Sequence, residues 1–275
     1  MTQSHTQKWL IALVLLLCAA VSISPILLSL VNSFKTIGEI FASVTSLPSK
    51  FHFENYTEAF SRIHMIRSTF NTLIVSFIGI GGIVVAGALA GYKLSRTGGK
   101  LSGFMFLLFV SAMLVPFHAI MIPLTQISMD LSLHGHIVGL GLICIGLSVN
   151  MGVFLYHGFV KSIPREMEEA AYMDGYGEFR TFFGIIFPLL LPITVTLGII
   201  MFLWIWNDFL LPMLMLTDKN QYTIVLSTNV LFGEYVNEWN LILAALIIAV
   251  IPVVLLYAFF QRYIIQGLTN GAVKG

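Results

Sequence analysis

The stretch EEAAYMDGYGEFRTFFGIIFPLLLP, residues 168–192, decides how the rest of the chain is read. It passes from a charged, alanine-bearing half through Gly175 and Gly177 into phenylalanines, and then into an apolar run carrying Pro188 and Pro192. The segment from Lys161 to Arg180 holds eight of the 27 charged residues, in a sequence that is 57% hydrophobic and only 10% charged. Such an island reads as a polar element between membrane segments, since charged residues concentrate where the chain meets water.

The composition sets the class. A 275-residue chain with a mean hydropathy of +0.92 and 22 Phe carries more apolar surface than one soluble core hides. The net charge of +1 and the absence of any Lys/Arg run longer than two residues give no sign of a nucleic-acid partner, so none is expected and membrane lipid is the surrounding solvent. Cys18 and Cys144 lie in apolar runs without metal-ligand spacing, so both read as small buried hydrophobes. The uncharged run from Trp9 to Val31 is too long for a signal-peptide core and predicts a retained span.

A bilayer core of about 30 Å takes roughly 20 apolar residues per helix. Six runs meet that length, near residues 9–31, 69–91, 102–123, 137–160, 185–206 and 241–260. The expected fold is an all-α membrane protein with six transmembrane helices. Turn chemistry separates the runs at SRTGGK, LHGH, LTDKNQY and NEWN. With the N-terminus inside, nine basic and five acidic residues face the cytoplasm, net +4, and five basic and eight acidic face outward, net −3. The short loop 92–101 has three basic residues and no acid, so the positive-inside rule places both termini in the cytoplasm. Trp9, Trp204, Trp206 and Trp239 fall near span ends, where interfacial anchors belong.

This topology puts the opening stretch in the longest inner connection. Ser162 is positioned to cap a helix with Pro164 in its first turn, and Arg165 through Met173 contains no breaker. On that helix Met167, Ala170 and Ala171 share a narrow face, with Arg165, Glu168, Glu169 and Tyr172 opposite. Gly175 and Gly177 allow a tight reversal with positive φ, and Phe179, Phe182, Phe183 and Ile186 then form a helical stripe. Pro188 and Pro192 mark a bend into the fifth span. A solvated loop would be charged without any partner, yet it would need neither the small-residue face nor the aromatic stripe.

The set Glu169-Ala170-Ala171, Asp174-Gly175, Phe182, Ile185, Pro188 and Pro192 resembles the EAA loop of permease subunits of bacterial ABC importers. FHFENYTEAF at 51–60, LAGYKLSR at 89–96, Trp206-Asn207-Asp208-Phe209 and QRYIIQGLTNGAVKG at 261–275 resemble the carbohydrate branch of that family. The last run is similar to that of the second maltose-importer permease. Tyr176 departs from the pattern, where a small residue is usual.

The resemblance implies a type I ABC importer permease fold, with a cytoplasmic coupling helix that docks in a groove of an ATPase. It implies a second homologous permease subunit in a heterodimer, two ATPase subunits and an extracytoplasmic substrate-binding protein. ATP and Mg would sit on the ATPases, and this chain would bind no cofactor or metal. Glu169 would be a charge contact to the ATPase, Ala170 and Ala171 would allow close docking, and Asp174 and Gly175 would form the turn. Phe179, Phe182 and Phe183 would seat the lever, with Pro188 leading into the fifth span. The expected organisation is residues 1–68 with the first span, a permease core at 69–261 holding the loop at 161–192, and a cytoplasmic tail at 262–275. That tail reads either as a frayed end or, by resemblance, as an ATPase contact.

Inside the spans, His118, Ser148, Asn150, His157, Thr194 and Thr196 are polar, and Asn207 ends the fifth run. Intramembrane polar groups mark pathways or bond neighbouring helices. His118, Ser148, Asn150 and Asn207 are the pathway candidates, and His157 reads as structural. Gly87 and Gly91 form a small-xxx-small pair for close helix approach. No G-x-x-x-x-G-K-[ST] sequence occurs, so ATP is expected to be hydrolysed by another polypeptide and this chain is not expected to be an enzyme. The alternative is a secondary transporter driven by an ion gradient. Against it, no Asp or Glu lies inside the six runs and no internal repeat is visible.

Overall fold

The computed structural model describes residues 5–234 and 238–272. Every regular element among them is helical: α1 His5–Asn32, α2 Ile37–Ala42, α3 Glu54–Arg62, α4 Met65–Arg96, α5 Lys100–Ala112, α6 Phe117–Asp130 and α7 Ile137–Val160. There follow α8 Glu166–Met173, α9 Glu178–Thr181, a π-helical turn at Phe182–Ile186, α10 Phe187–Leu189, α11 Leu191–Asn207, α12 Leu210–Met215, a 3-10 turn at Lys219–Gln221, α13 Ile224–Glu234 and α14 Trp239–Ala272. The tail expected at 262–275 continues α14 as far as Ala272, and its last three residues, Lys274 among them, lie outside the described residues.

Four helices are long and apolar enough to cross a membrane unbroken: Trp9–Asn32 of α1, α4, α7 and Trp239–Leu256 of α14. Two bent pairs, α5 with α6 at 100° and Glu178–Leu189 with α11 at 72°, complete six crossings when each pair counts as one. The bend at 188–192 is where the prolines place it. The run 102–123, expected as one helix, is instead broken at Met113–Pro116. Pro116 stands extended as the N-cap of α6, and a proline disfavours helical geometry in the residue before it.

The chain divides into two compact units, residues 1–65 with 228–252 and residues 66–227 with 253–275. In the first, Ala59, Ile63, Leu231, Ile242, Ala244, Ala245 and Ile248 form the core. The spanning window of α1 buries none of its residues inside the chain. Its long apolar surface fits a helix solvated by lipid. Cys18 is therefore exposed, against the expectation that both cysteines are buried; only Cys144 is.

Polar anchors shape the segment after α1. Buried Asn55 donates to the Ser33 and Lys35 carbonyls at 2.8 and 3.0 Å and accepts from Asn240 at 2.7 Å. Glu39 closes a capping box with Thr36, accepting from the Thr36 amide at 2.9 Å, and also accepts from the Ser49 amide at 3.0 Å.

The second unit is organised by α4 and α7, which approach backbone to backbone. A Cβ on Gly87 would stand 3.0 Å from the Gly152 backbone, and one on Gly91 would stand 2.8 Å from Tyr156 Cβ and 2.9 Å from the His157 amide nitrogen. The expected small-residue pair is thus an interhelical contact. Tyr156, Val160, Ile83, Ala88 and Tyr92 from this pair join Ile163, Phe182, Ile186, Leu190, Leu197 and Met201 in one core. α5 packs on α7 by stacking Phe106 against buried His157 at 3.7 Å, a structural use of that histidine. Trp206 is 1% exposed and packs on Phe202, so it is a core residue and not the interfacial anchor its position suggested. Trp9, Trp204 and Trp239 are exposed.

Two outcomes are expected. Gly91→Ala should lower the thermal midpoint of the purified protein by the equivalent of about 1–3 kcal/mol of overpacking. Gly81→Ala, whose Cβ meets nothing within 4 Å, should leave the midpoint unchanged or raised. The Glu39 carboxyl is held at about 2 by hydrogen bonds from the Ser49 side chain and the Thr36 and Ser49 amides. That stabilisation is fully present above the unfolded value of 4.5 and is lost as pH falls toward 2. Limited proteolysis of residues 33–53 should accelerate between pH 5 and pH 3, and Glu39→Gln should make cleavage independent of pH in that window.

Candidate functional site

The site is built where α7 ends, and its local chemistry differs from the sequence pattern at the start. Ser162 does not cap α8: its hydroxyl donates back to the Phe159 carbonyl at 2.8 Å, closing α7. Arg165 is the N-cap of α8, in helical geometry and without a side-chain cap bond. Glu166, Glu168 and Glu169 occupy the first turn instead, where carboxylates complement the positive end of the helix dipole.

α8 ends in a Schellman motif. The Gly175 amide donates to the Tyr172 carbonyl at 3.0 Å and the Tyr176 amide to the Ala171 carbonyl at 2.9 Å. Gly175 supplies the required positive φ of 80°. Gly177, expected to share that role, has φ −78° and serves as the N-cap of α9. Tyr176 gains a reason for its size: the Arg180 guanidinium lies 4.2 Å from the centre of its ring, a cation–π contact across the turn.

The inward face of α8 is Glu168 and Ala171, 7% and 4% exposed. Glu168 was expected on the solvent side and Ala171 on the docking face, and both are turned under the helix. The cause is Arg96 at the end of α4. Its Nε donates to one Glu168 oxygen at 2.6 Å while another guanidinium nitrogen donates to the Ile163 carbonyl at 2.8 Å. The Tyr92 hydroxyl donates to the second Glu168 oxygen at 2.9 Å. Both side chains of the ion pair are largely buried, 13% and 9% exposed. Removing one member of such a pair strands a buried charge, at a cost of about 3–5 kcal/mol. Lys93, one turn back on α4, pairs with Glu178 at the start of α9, so the loop is tied at both of its helices.

What remains outward on α8 is Glu166, Met167, Glu169, Ala170, Tyr172 and Met173, followed by Asp174 and Gly175. Met173 is 88% exposed and Met167 40%. An exposed ridge of two methionines, an alanine and carboxylates is suited to close contact with another protein, because thioether side chains adapt to the surface they meet.

Behind the turn, the aromatic stripe is divided by the π-helical turn at Phe182–Ile186, whose extra residue per turn resets the register. Phe182 and Ile186 point into the core, 2% and 0% exposed, and Phe182 packs on Tyr92 at 5.1 Å. Phe179 and Phe183 point outward, at 73% and 52%, so of the three expected seating residues only Phe182 seats the loop. Pro188 and Pro192 stand at the starts of α10 and α11, on either side of the 72° bend. Thr194 donates to the Leu190 carbonyl and accepts from the Tyr156 hydroxyl, each at 2.9 Å, which fastens the bend to α7.

The pathway candidates do not converge. His118 is exposed in the first turn of α6, and Asn207 is exposed at the end of α11, where its side chain returns to the Leu203 carbonyl. Asn150 accepts from the neighbouring Met151 amide, and the Ser148 hydroxyl is buried with no hydrogen-bond partner among the described residues. Among the described residues, no hydrogen bond or ring contact joins any two of these four.

Missed in the sequence were Tyr92, Lys93, Arg96, Glu168 and Glu178 as one network. The signal was present in the loop 92–101, whose three cations have no acid of their own and need partners elsewhere.

The loop is thus clamped to the helical membrane domain on one side and presents one helix outward on the other. The chain matches the family described as binding-protein-dependent transport system inner membrane component over residues 82–270, and it belongs to that family. It is 37% identical over 276 residues to the probable starch degradation products transport system permease protein AmyC of Thermoanaerobacterium thermosulfurigenes, covering 100% of both chains. It is 35% identical over 268 residues to the melibiose/raffinose/stachyose import permease protein MelC of Bacillus subtilis, covering 97% of this chain and 96% of the other. Its fold matches a chain of a bacterial ABC transporter involved in import of the acidic polysaccharide alginate, with TM-score 0.80 and 21% identity over 96% of this chain and 99% of that one.

The turn is testable by two substitutions at Gly175. Alanine meets open space and should cost only the left-handed backbone strain of about 1–2 kcal/mol. Proline cannot adopt φ 80° and lacks the amide that bonds Tyr172, so hydrogen exchange at 172–178 should rise for Gly175→Pro well beyond Gly175→Ala.

Proposed function

We propose that the chain is one of two permease subunits, paired as a heterodimer, that together form the pathway for a sugar or oligosaccharide. Two separate ATPase subunits hold the ATP and Mg, and an extracytoplasmic binding protein delivers the substrate. α8 docks on one ATPase, both termini lie in the cytoplasm, and the closing of the ATPases on ATP moves the spans between inward-open and outward-open states. The observation that carries this reading is the two-sided character of α8. One face is locked to the membrane domain through Glu168 and Ala171, and the other, with Glu169, Ala170 and Met173, is exposed.

Within that docking face Glu169 offers a carboxylate to a cationic partner, and Ala170 permits close approach. Ala171 acts beneath the helix, where its small side chain brings α8 close to the core. Asp174 and Gly175 set the turn, and Phe182 and Pro188 hold the lever to the bend above it. Phe179 lies outside that seat and is available to the partner. The oligosaccharide assignment is supported by the substrates named for the similar permeases. The buried, unpartnered Ser148 hydroxyl and Asn150 on the same helix are the candidates for lining the path, with His118 and Asn207 at the ends of their helices. The ion-gradient alternative has no support beside the family match.

Reversing the charge at Glu169 is the direct test. In liposomes holding the assembled importer, Glu169→Lys should leave insertion intact and reduce ATP hydrolysis stimulated by the binding protein loaded with maltotriose or raffinose by about tenfold or more, the value of one lost charge contact plus repulsion. Normal stimulation in this variant would remove the docking reading.

A further inference from the structure

We propose that Arg96 is the joint through which movement of α8 enters α4, acting as a positioning residue between the docking helix and the transmembrane core. This rests on the reading of α8 as the docking helix, and it concerns the inner face of the loop, which is packed against the end of α4.

The geometry separates two ways in which α8 is connected. Through the chain it is joined to α7 by Lys161–Arg165, five residues in which Ile163 alone is buried. A short link of this kind can pivot. Through space it is joined to α4 by the planar guanidinium of Arg96, which grips Glu168 on α8 and the Ile163 carbonyl in the link at once. Arg165 returns a weaker bond to the Arg96 carbonyl at 3.4 Å. One rigid fork therefore spans the end of α4, the link and the first turn of α8, and removes the pivot.

Tyr92 completes the grip, since its hydroxyl occupies the other Glu168 oxygen and its ring packs on Phe182 behind the turn. The carboxylate has both oxygens held by groups of one helix, in a setting largely closed to water. Beyond the joint, α4 is pressed on α7 at Gly87 and Gly91 with no room for a methyl group. A displacement of α8 is thus delivered to α4 and α7 together, and packed helices of this kind move as bodies without bending. Lysine in place of Arg96 would keep the charge and lose the fork, because a single ammonium does not present two fixed parallel donors.

The experiment uses the importer purified with its partner permease and ATPase subunits. Hydrogen exchange is compared between the nucleotide-free state and the state trapped with ATP and vanadate, in peptides covering 166–176 and 90–100. In the unaltered protein both peptides should change on trapping. In Glu168→Gln and Arg96→Lys the change at 166–176 should persist, because α8 still meets the ATPase, while the change at 90–100 should fall about fivefold or more, the size of a typical coupling between sites.

A purely structural role for the pair would alter exchange equally with and without nucleotide and would leave the trapping difference at 90–100 intact. That result overturns the proposal. Loss of co-purifying ATPase in both variants would mark the pair as a folding element and overturn it too. Absence of any change at 166–176 in the unaltered protein would remove the docking reading itself. Uncoupling by Glu169→Lys alongside an undiminished response at 90–100 in Glu168→Gln would remove the joint alone.

Discussion

A buried carboxylate in a largely apolar chain must be paired and hydrogen-bonded, and the form of the loop at 161–192 follows from how Glu168 meets that demand. Both of its oxygens are taken by α4, one by Arg96 and one by Tyr92. The ionised pair is expensive to remove from water and is retained only where the geometry satisfies its members. Once Glu168 is fixed, the helical repeat decides the rest. Ala171, three residues on, must also face inward, and Glu169, Ala170 and Met173 must face out.

The remaining features of the loop answer to that orientation. Gly175 ends α8 at a left-handed residue and turns the chain back. The π-helical turn then inserts an additional residue, so that Phe182 and Ile186 reach the core that Tyr92, Tyr156 and Val160 also build. Two prolines bend the chain by 72° into α11, and Thr194 restores a tie to α7 through Tyr156. Charge, glycine, aromatic and proline each act at one step of a path from the surface into the membrane domain.

The same division appears across the whole chain. α1 gives its surface outward and buries nothing in its spanning window, whereas α4 and α7 are in backbone contact through glycines. Rigid where helices meet and apolar where lipid belongs, the family member exposes one helix, α8, on a short chain link. On the proposed reading this helix receives motion from an ATPase, and the close packing of α4 on α7 limits where that motion can go.

Much of this was legible in the residues alone. Hydropathy marked the membrane segments, Gly175 and the two prolines marked the turn and the bend, and the EAA pattern marked the family, because each depends on local backbone geometry, on transfer from water or on fixed spacing. Gly87 and Gly91 announced close packing by their four-residue spacing. Other features depended on which partner arrives. A helical wheel assigned Glu168 to solvent, since periodicity cannot show that Arg96, 72 residues earlier in the sequence, offers it a buried counter-charge. Phe179 and Phe183 lie outside, Trp206 proved to be core, and the third run broke by 100° at Met113–Pro116. The sequence alone therefore determined which segments leave water and where the backbone must turn. Only the tertiary structure decided which face of each helix is inside, because that choice is made by pairing and packing between residues far apart along the chain.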